Sequence, residues 1–240
     1  MNIVIVKNYT ELSALAADVI CDTVSRNPSA TLGLATGSTV LGAYALLRDR
    51  CSSGTLSFAQ VKVFNLDEYV GLDASNVSSY AHFMSVNLFD GTDFDLRNFH
   101  IPCGTSDDPD GECKRYDKLL ERNPRNLQLL GLGSNGHIAF NEPMTPFDSR
   151  THVVQLANST VRDNSRLFDD ERQVPRKALT MGIRDIVAAE RIVLLASGIG
   201  KAQAVFNMIK GNVTVDCPAS VLQRHPDATI ILDESAASLL

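Results

Sequence analysis

Short apolar runs rich in Val, Ile and Leu alternate along the chain with stretches in which apolar residues recur every three or four positions. The runs predict strands at "NIVIV" (2–6), "TLGLA" (31–35), "VKVFN" (61–65), "LQLLGLG" (127–133), "THVVQL" (151–156), "RIVLLA" (191–196) and "ATIIL" (228–232). Between them, Leu12, Leu15, Ala16, Val19, Ile20 and Val24 mark a helix behind Thr10, read as its N-cap. Further helices are expected after "TGST" through Leu46, from about Ser78 to Leu88, after Gly111 through Tyr116 and Leu120, and over 160–168, 182–188 and 201–209. Pro218 sits where a first helical turn tolerates it.

This β–α alternation predicts an α/β, Rossmann-like fold, with a mainly parallel central sheet and helices on both faces. "LQLLGLG" is apolar on both sides, as a central parallel strand must be. No repeat, low-complexity tract or Pro/Gly/Ser linker divides the chain, so residues 1–240 are expected to form a single domain.

Open parallel sheets bind ligands beyond the carboxyl ends of their strands. Four such exits carry reactive residue types: "ATGST" (35–39), "LDEY" (66–69), "GSNGH" (133–137) and "SGIGK" (197–201). In the first, Thr36, Gly37, Ser38 and Thr39 are either a hydroxyl-capped turn or a phosphate cradle of backbone N–H groups and hydroxyls. "SGIGK" favours the cradle, because Lys201 supplies the point charge that a phosphate dianion needs. Arg166 is either a second such cation or a solvated surface residue. Asp67 and Glu68 are adjacent on an extended segment, so one of them faces the ligand side, where a carboxylate can act as general base.

The run "LLGLGSNGHIAFNEP" (129–143) spells G-x-G-x-x-G with Gly131, Gly133 and Gly136, the order of a dinucleotide fingerprint. Its context is wrong for one. A helix should open at the third glycine and an acidic residue should follow about 20 positions on. Here "HIAFNEP" follows, and the next strand ends at Ala157-Asn158. The glycines are expected instead to bend a loop close to a small ligand. His137 and Glu142 suit proton shuttling, since imidazole titrates near neutrality and a carboxylate orients it and stabilises its charged form. Asn135 can orient the ring by hydrogen bonding.

Composition narrows the partners. A formal net charge of -6, with no Lys/Arg cluster, argues against nucleic acid. No apolar run approaches the roughly 18 residues of a membrane span, and "MNIVIVKNYT" turns polar too soon for a signal peptide. The five cysteines, Cys21, Cys51, Cys103, Cys113 and Cys217, are odd in number and scattered, as expected of reduced thiols in a cytoplasmic protein. His82, His100, His152 and His225 show no metal-ligand spacing, and "SDDPDGE" (106–112) departs from a calcium loop at Pro109 and at residue 117. No G-x-S-x-G elbow is present. Neither a metal nor an organic cofactor is therefore expected.

"FNLDEYVGL", "SYAHFM", "GLGSNGHIAFNEP", "DNSRLF", "ALTMGIRDI" and "LLASGIGKA" together resemble the glucosamine-6-phosphate deaminase family, in its order, from about residue 31 to 232. The resemblance implies conversion of glucosamine 6-phosphate to fructose 6-phosphate and ammonia without cofactor or metal. It implies that Asp67 is the general base between C2 and C1, that His137 opens the pyranose ring and that Glu142 is its carboxylate partner. Many relatives carry aspartate where this chain has Asn135. Phosphate would be held by the 36–39 loop, Arg166 and Lys201. A mobile lid is implied around residues 152–185. The chain ends with "ATIILDESAASLL", like the short family members that act as monomers. The 6-phosphogluconolactonases resemble this fold but lack the "FNEP" glutamate and the "DEYVGL" pattern.

Overall fold

The computed structural model describes residues 1–165, 168, 170 and 173–240. Among the described residues, seven parallel strands form the main sheet in the order β1-β10-β9-β6-β2-β3-β5. They are β1 (Asn2–Val6), β2 (Thr31–Leu34), β3 (Lys62–Asn65), β5 (Phe99–His100), β6 (Leu127–Gly131), β9 (Ile192–Ala196) and β10 (Ala228–Asp233). Leu32, Leu129, Leu130, Val193, Leu194, Ile230 and Ile231 are fully buried, which explains why β2, β6, β9 and β10 read as continuous apolar runs. The helices are α1 (Tyr9–Arg26), α2 (Leu41–Ser52), α3 (Tyr80–Met84), α4 (Pro109–Arg122), α5 (Asn158–Asn164), α6 (Ile183–Val187) and α7 (Ala202–Lys210). No helix among the described residues is long and apolar enough to cross a membrane.

Two helix starts differ from expectation. Asn8, not Thr10, caps α1: its side chain accepts the Glu11 N–H at 3.0 Å, and Thr10 lies inside the first turn. Helix α4 begins two residues before Gly111, because Asp108 accepts the Gly111 N–H at 3.0 Å and Pro109 fills the first position.

A second sheet was not foreseen. Strands β4 (Asp67–Tyr69), β8 (Lys177–Thr180) and β7 (His152–Gln155) pair antiparallel in the order β4-β8-β7. "THVVQL" therefore does not extend the parallel sheet. Its strand is half exposed rather than buried, and it pairs with β8 at the rim. This small sheet joins Asp67 directly to the 152–180 segment, with Asp67 opposite Thr180 and Thr180 opposite His152.

The chain progresses outward in one direction through β2, β3 and β5, then returns to β6 on the other side of β2. The sheet order thus reverses between β2 and β6, the place where an open α/β sheet leaves a crevice.

Candidate active site

A cavity of about 280 Å³ lies at that crevice. Thr36, Gly37, Ser38 and Thr39 after β2, Asp67 after β3, Gly131, Gly133 and His137 after β6, and Ser197 and Lys201 after β9 all line it. The four exits singled out in the sequence thus meet at one cavity.

The two Gly/hydroxyl loops are built alike. Gly37 (φ 98°) and Gly198 (φ 90°) each turn the chain with a positive φ into one 3₁₀ turn, Ser38–Val40 or Ile199–Lys201. That turn runs on into α2 or α7. The second loop is held by Asp233 at the end of β10, which accepts from Ser197 Oγ at 2.5 Å and from the Gly198 N–H at 3.0 Å. Both loops bring a helix start to the cavity, where backbone N–H groups favour an anion. Arg166 lies outside the described residues.

Asp67 faces the cavity and is only 5 % exposed. Burial, and then the negative charge of Glu68, push its carboxyl well above the usual carboxylate range. Glu68 points away and accepts the backbone N–H groups of Tyr69, Tyr80 and Ala81 at 2.9–3.0 Å, satisfying the start of α3. The neighbouring carboxylates therefore divide into one that faces the ligand side and one that holds structure.

The "GSNGH" loop closes on itself: Gly133 donates its N–H to the His137 carbonyl at 2.9 Å, and Gly136 donates to the Gly133 carbonyl at 3.0 Å. No helix opens at Gly136; an isolated bridge between Ile138 and Asn141 follows instead. A Cβ at Gly133 would meet the His137 ring at 2.4 Å, so this glycine makes room for the imidazole.

Behind His137 stands Glu142, 8 % exposed, with its Oε2 at 3.5 Å from Nδ1. At this distance Nδ1 makes no hydrogen bond, so the carboxylate faces the imidazole without bonding to it. Asn135 does not orient the imidazole through its side chain. Its Nδ2 donates to Glu142 Oε2 at 2.7 Å, while its Oδ1 accepts the His137 backbone N–H at 3.1 Å. The amide oxygen is taken by the loop's own backbone, which leaves the NH₂ to face the carboxylate. Glu142 Oε1 accepts from Thr160 Oγ1 at 2.5 Å and from the Ala157 N–H at 3.2 Å. Burial alone would raise the Glu142 carboxyl, but His137, Thr160 and Asn135 together outweigh it and hold it down at about 2.

The sequence reading missed three polar cavity residues. Tyr80, Thr160 and Asn164 line the wall without belonging to a strand exit. Tyr80 stands inside the quoted "SYAHFM", and Thr160 and Asn164 are one helical turn apart on α5. Among the described residues, no group of three or more His, Cys, Asp or Glu side chains is placed to hold a metal ion. Asp108 of the "SDDPDGE" run serves as the cap of α4.

A parallel α/β sheet whose exits unite a buried carboxyl group, a His–Glu pair and two anion-seeking loops defines an acid–base enzyme for a small phosphorylated substrate. The chain belongs to the family of glucosamine-6-phosphate isomerases/6-phosphogluconolactonase, whose model matches residues 7–231. It is 48% identical over 240 residues to a glucosamine-6-phosphate deaminase of Lactobacillus delbrueckii subsp. bulgaricus, covering 100% of both chains. It is 45% identical to the deaminase of Thermoanaerobacter pseudethanolicus, covering 100% of this chain and 95% of that one. The solved structure of a monomeric glucosamine-6-phosphate deaminase superposes with a TM-score of 0.98 at 44% identity, covering 100% of each chain. The 6-phosphogluconolactonase of Trypanosoma cruzi shares the fold at a TM-score of 0.80 and 20% identity, covering 100% of this chain and 96% of that one.

Proposed function

We propose that this chain isomerises and deaminates glucosamine 6-phosphate to fructose 6-phosphate and ammonia, acting as a hydrolase on a C–N bond in amino-sugar catabolism. The observation that carries this reading is the meeting of Asp67, the His137–Glu142 pair and two Gly/hydroxyl loops on one cavity, in a chain similar over its whole length to deaminases.

The phosphate sits between the 36–39 loop and Lys201, with Arg166 as a further cation, and anchors the sugar so that its far end reaches the acid–base groups. His137, supported by Glu142, moves the proton between the ring oxygen and the C1 hydroxyl as the pyranose opens. Asp67 takes the C2 proton from the open-chain aldehyde and returns it at C1. The enolamine becomes a C2 iminium, and water adds there to expel ammonia and leave the ketone. One water is consumed, and no electron leaves the substrate. Burial of Asp67 suits this role: its carboxyl is poorly solvated, and the substrate's ammonium at C2 favours its ionised form when the sugar binds.

Residues 1–240 act as a single sugar-phosphate isomerase/deaminase domain, and the described part of the lid expected around 152–185 covers the cavity to exclude water during the reaction; residues 166, 167, 169, 171 and 172 of it lie outside the described residues. The 44%-identical structure is that of a monomeric deaminase, which supports a monomer here. The free state of all five cysteines fits the cytoplasm.

The test is release of ammonia and fructose 6-phosphate from glucosamine 6-phosphate, with EDTA present and no cofactor added. Galactosamine 6-phosphate is run in parallel. Equimolar products from the first sugar are expected; silence on it with folded protein refutes the reading, and turnover of the second sugar alone reassigns the substrate.

A further inference from the structure

Helix α5 touches both halves of the site. Thr160 and Asn164 lie at i and i+4 on this helix, and both line the cavity. At one end, the Thr160 hydroxyl donates to Glu142 Oε1 at 2.5 Å, and the Ala157 N–H reaches the same oxygen at 3.2 Å. Ala157, the N-cap of α5, has no side-chain acceptor of its own, so Glu142 satisfies this helix start. The other carboxylate oxygen is left for Asn135 and His137.

At the other end, Asn164 Nδ2 donates to the Tyr69 hydroxyl at 2.9 Å, and the Tyr80 hydroxyl donates to the same oxygen at 3.3 Å. Tyr69 is fully buried and stacks at a tilt against Tyr80, with ring centroids 4.9 Å apart. Tyr80 in turn lies beside the Thr36 side chain of the first Gly/hydroxyl loop. One face of a seven-residue helix therefore holds the end of two chains of polar contact. One leads to the ring-opening pair, the other to the phosphate loop.

We propose that Thr160 and Asn164 are positioning residues through which α5 links occupancy of the phosphate loop to the orientation of Glu142. Anchoring of the phosphate at Thr36 fixes Tyr80 and Tyr69, which seat Asn164 and with it the helix. The seated helix presents Thr160 to Glu142 Oε1 and leaves Oε2 directed at His137. Binding energy from the remote phosphate is thereby spent on the group that opens the ring. This rests on the deaminase reading above.

Steady-state ammonia release from glucosamine 6-phosphate by the full chain tests it, together with the dissociation constant of glucosaminitol 6-phosphate. That open-chain amino-sugar alcohol needs no ring opening. T160V is expected to lower kcat roughly 10- to 100-fold, the loss of one hydrogen bond to a charged group. It should leave the affinity for the open-chain alcohol within about twofold, which also certifies the fold. T160S should restore most of the rate. N164A should lower kcat in the same sense, and T160V/N164A should fall little below T160V, because both act on one carboxylate. An unchanged kcat in T160V, a T160S no better than T160V, or losses that multiply in the double variant would each overturn the proposal. A wild-type chain silent on glucosamine 6-phosphate would instead overturn the deaminase reading, and this proposal with it.

Discussion

The Asn135 amide donates to Glu142 Oε2 at 2.7 Å, and that same oxygen stands 3.5 Å from His137 Nδ1. Asn135 thus steers the carboxylate, and Glu142 supplies the charge that supports the imidazole. E142Q should lower kcat/KM by about 100-fold or more, within the range of a lost acid–base partner. N135A should cost about tenfold, the worth of one hydrogen bond to a charged group. Comparison of the two pH–rate profiles decides the point, and equal losses would count against the division of labour.

Glu142 also shapes stability toward acid. Its folded carboxyl is held down at about 2, below its ordinary 4.5. A depressed carboxyl contributes stability that is fully present above the unfolded value and lost as pH falls through the folded one. The contribution therefore disappears between about pH 4.5 and pH 2. E142Q should unfold at a lower temperature than wild type at neutral pH, and the two melting curves should converge on acidification through that window.

Asp67 has the opposite sign. Burial raises its folded carboxyl above the unfolded value, so the folded state binds the extra proton and stability falls as pH climbs past about 4. At neutral pH the buried carboxylate is a liability retained for chemistry. D67N should abolish ammonia release, retain affinity for glucosaminitol 6-phosphate and melt at a higher temperature than wild type. The expected gain is roughly 2–4 °C for each kcal/mol of relieved burial. Strong residual turnover would remove Asp67 from the role of base.

These opposed signs could not be read from the sequence, although both residues could. Strands β2, β3, β6, β9 and β10 were legible because strands buried on both faces are written as apolar runs, and the exposed edge strand β1 because "NIVIV" is almost wholly Ile and Val. Strands β4, β5 and β8 were not legible: "DEY", "FH" and "KALT" are short and carry no alternation, and tertiary pairing alone makes them strands. The strand-exit rule placed Thr36–Thr39, Asp67, His137 and Lys201 on the cavity. It could not place Thr160 or Asn164, which arrive on a helix carried in by the small antiparallel sheet. The role of Asn135 was legible only as far as its chemistry. Which of its neighbours takes the NH₂ is decided by the His137 backbone N–H, which occupies its oxygen.

The glycines of "GLGSNG" invite a last test. Gly131 and Gly133 both line the cavity, but only one is confined. A Cβ at Gly131 meets nothing within 4 Å, whereas one at Gly133 would sit 2.4 Å from the His137 ring. The ring is rigid, and its backbone is pinned at both faces, by Asn135 on its N–H and by Gly133 on its carbonyl. The imidazole must therefore swing off Glu142 rather than yield slightly. G133A should fold, since the ring can move into the cavity, yet lose at least about tenfold in kcat, because a shift of about 1 Å at a reacting group carries a cost of that order or more. G131A should stay within a few-fold of wild type in kcat, with any effect appearing in KM. Parallel kinetics on the two variants, with glucosaminitol 6-phosphate binding as the control for fold, separate a glycine that makes space for the catalytic ring from one that merely lines the wall. Equal kcat values in G131A and G133A would show that the close approach of Gly133 to His137 is not what the loop is built for.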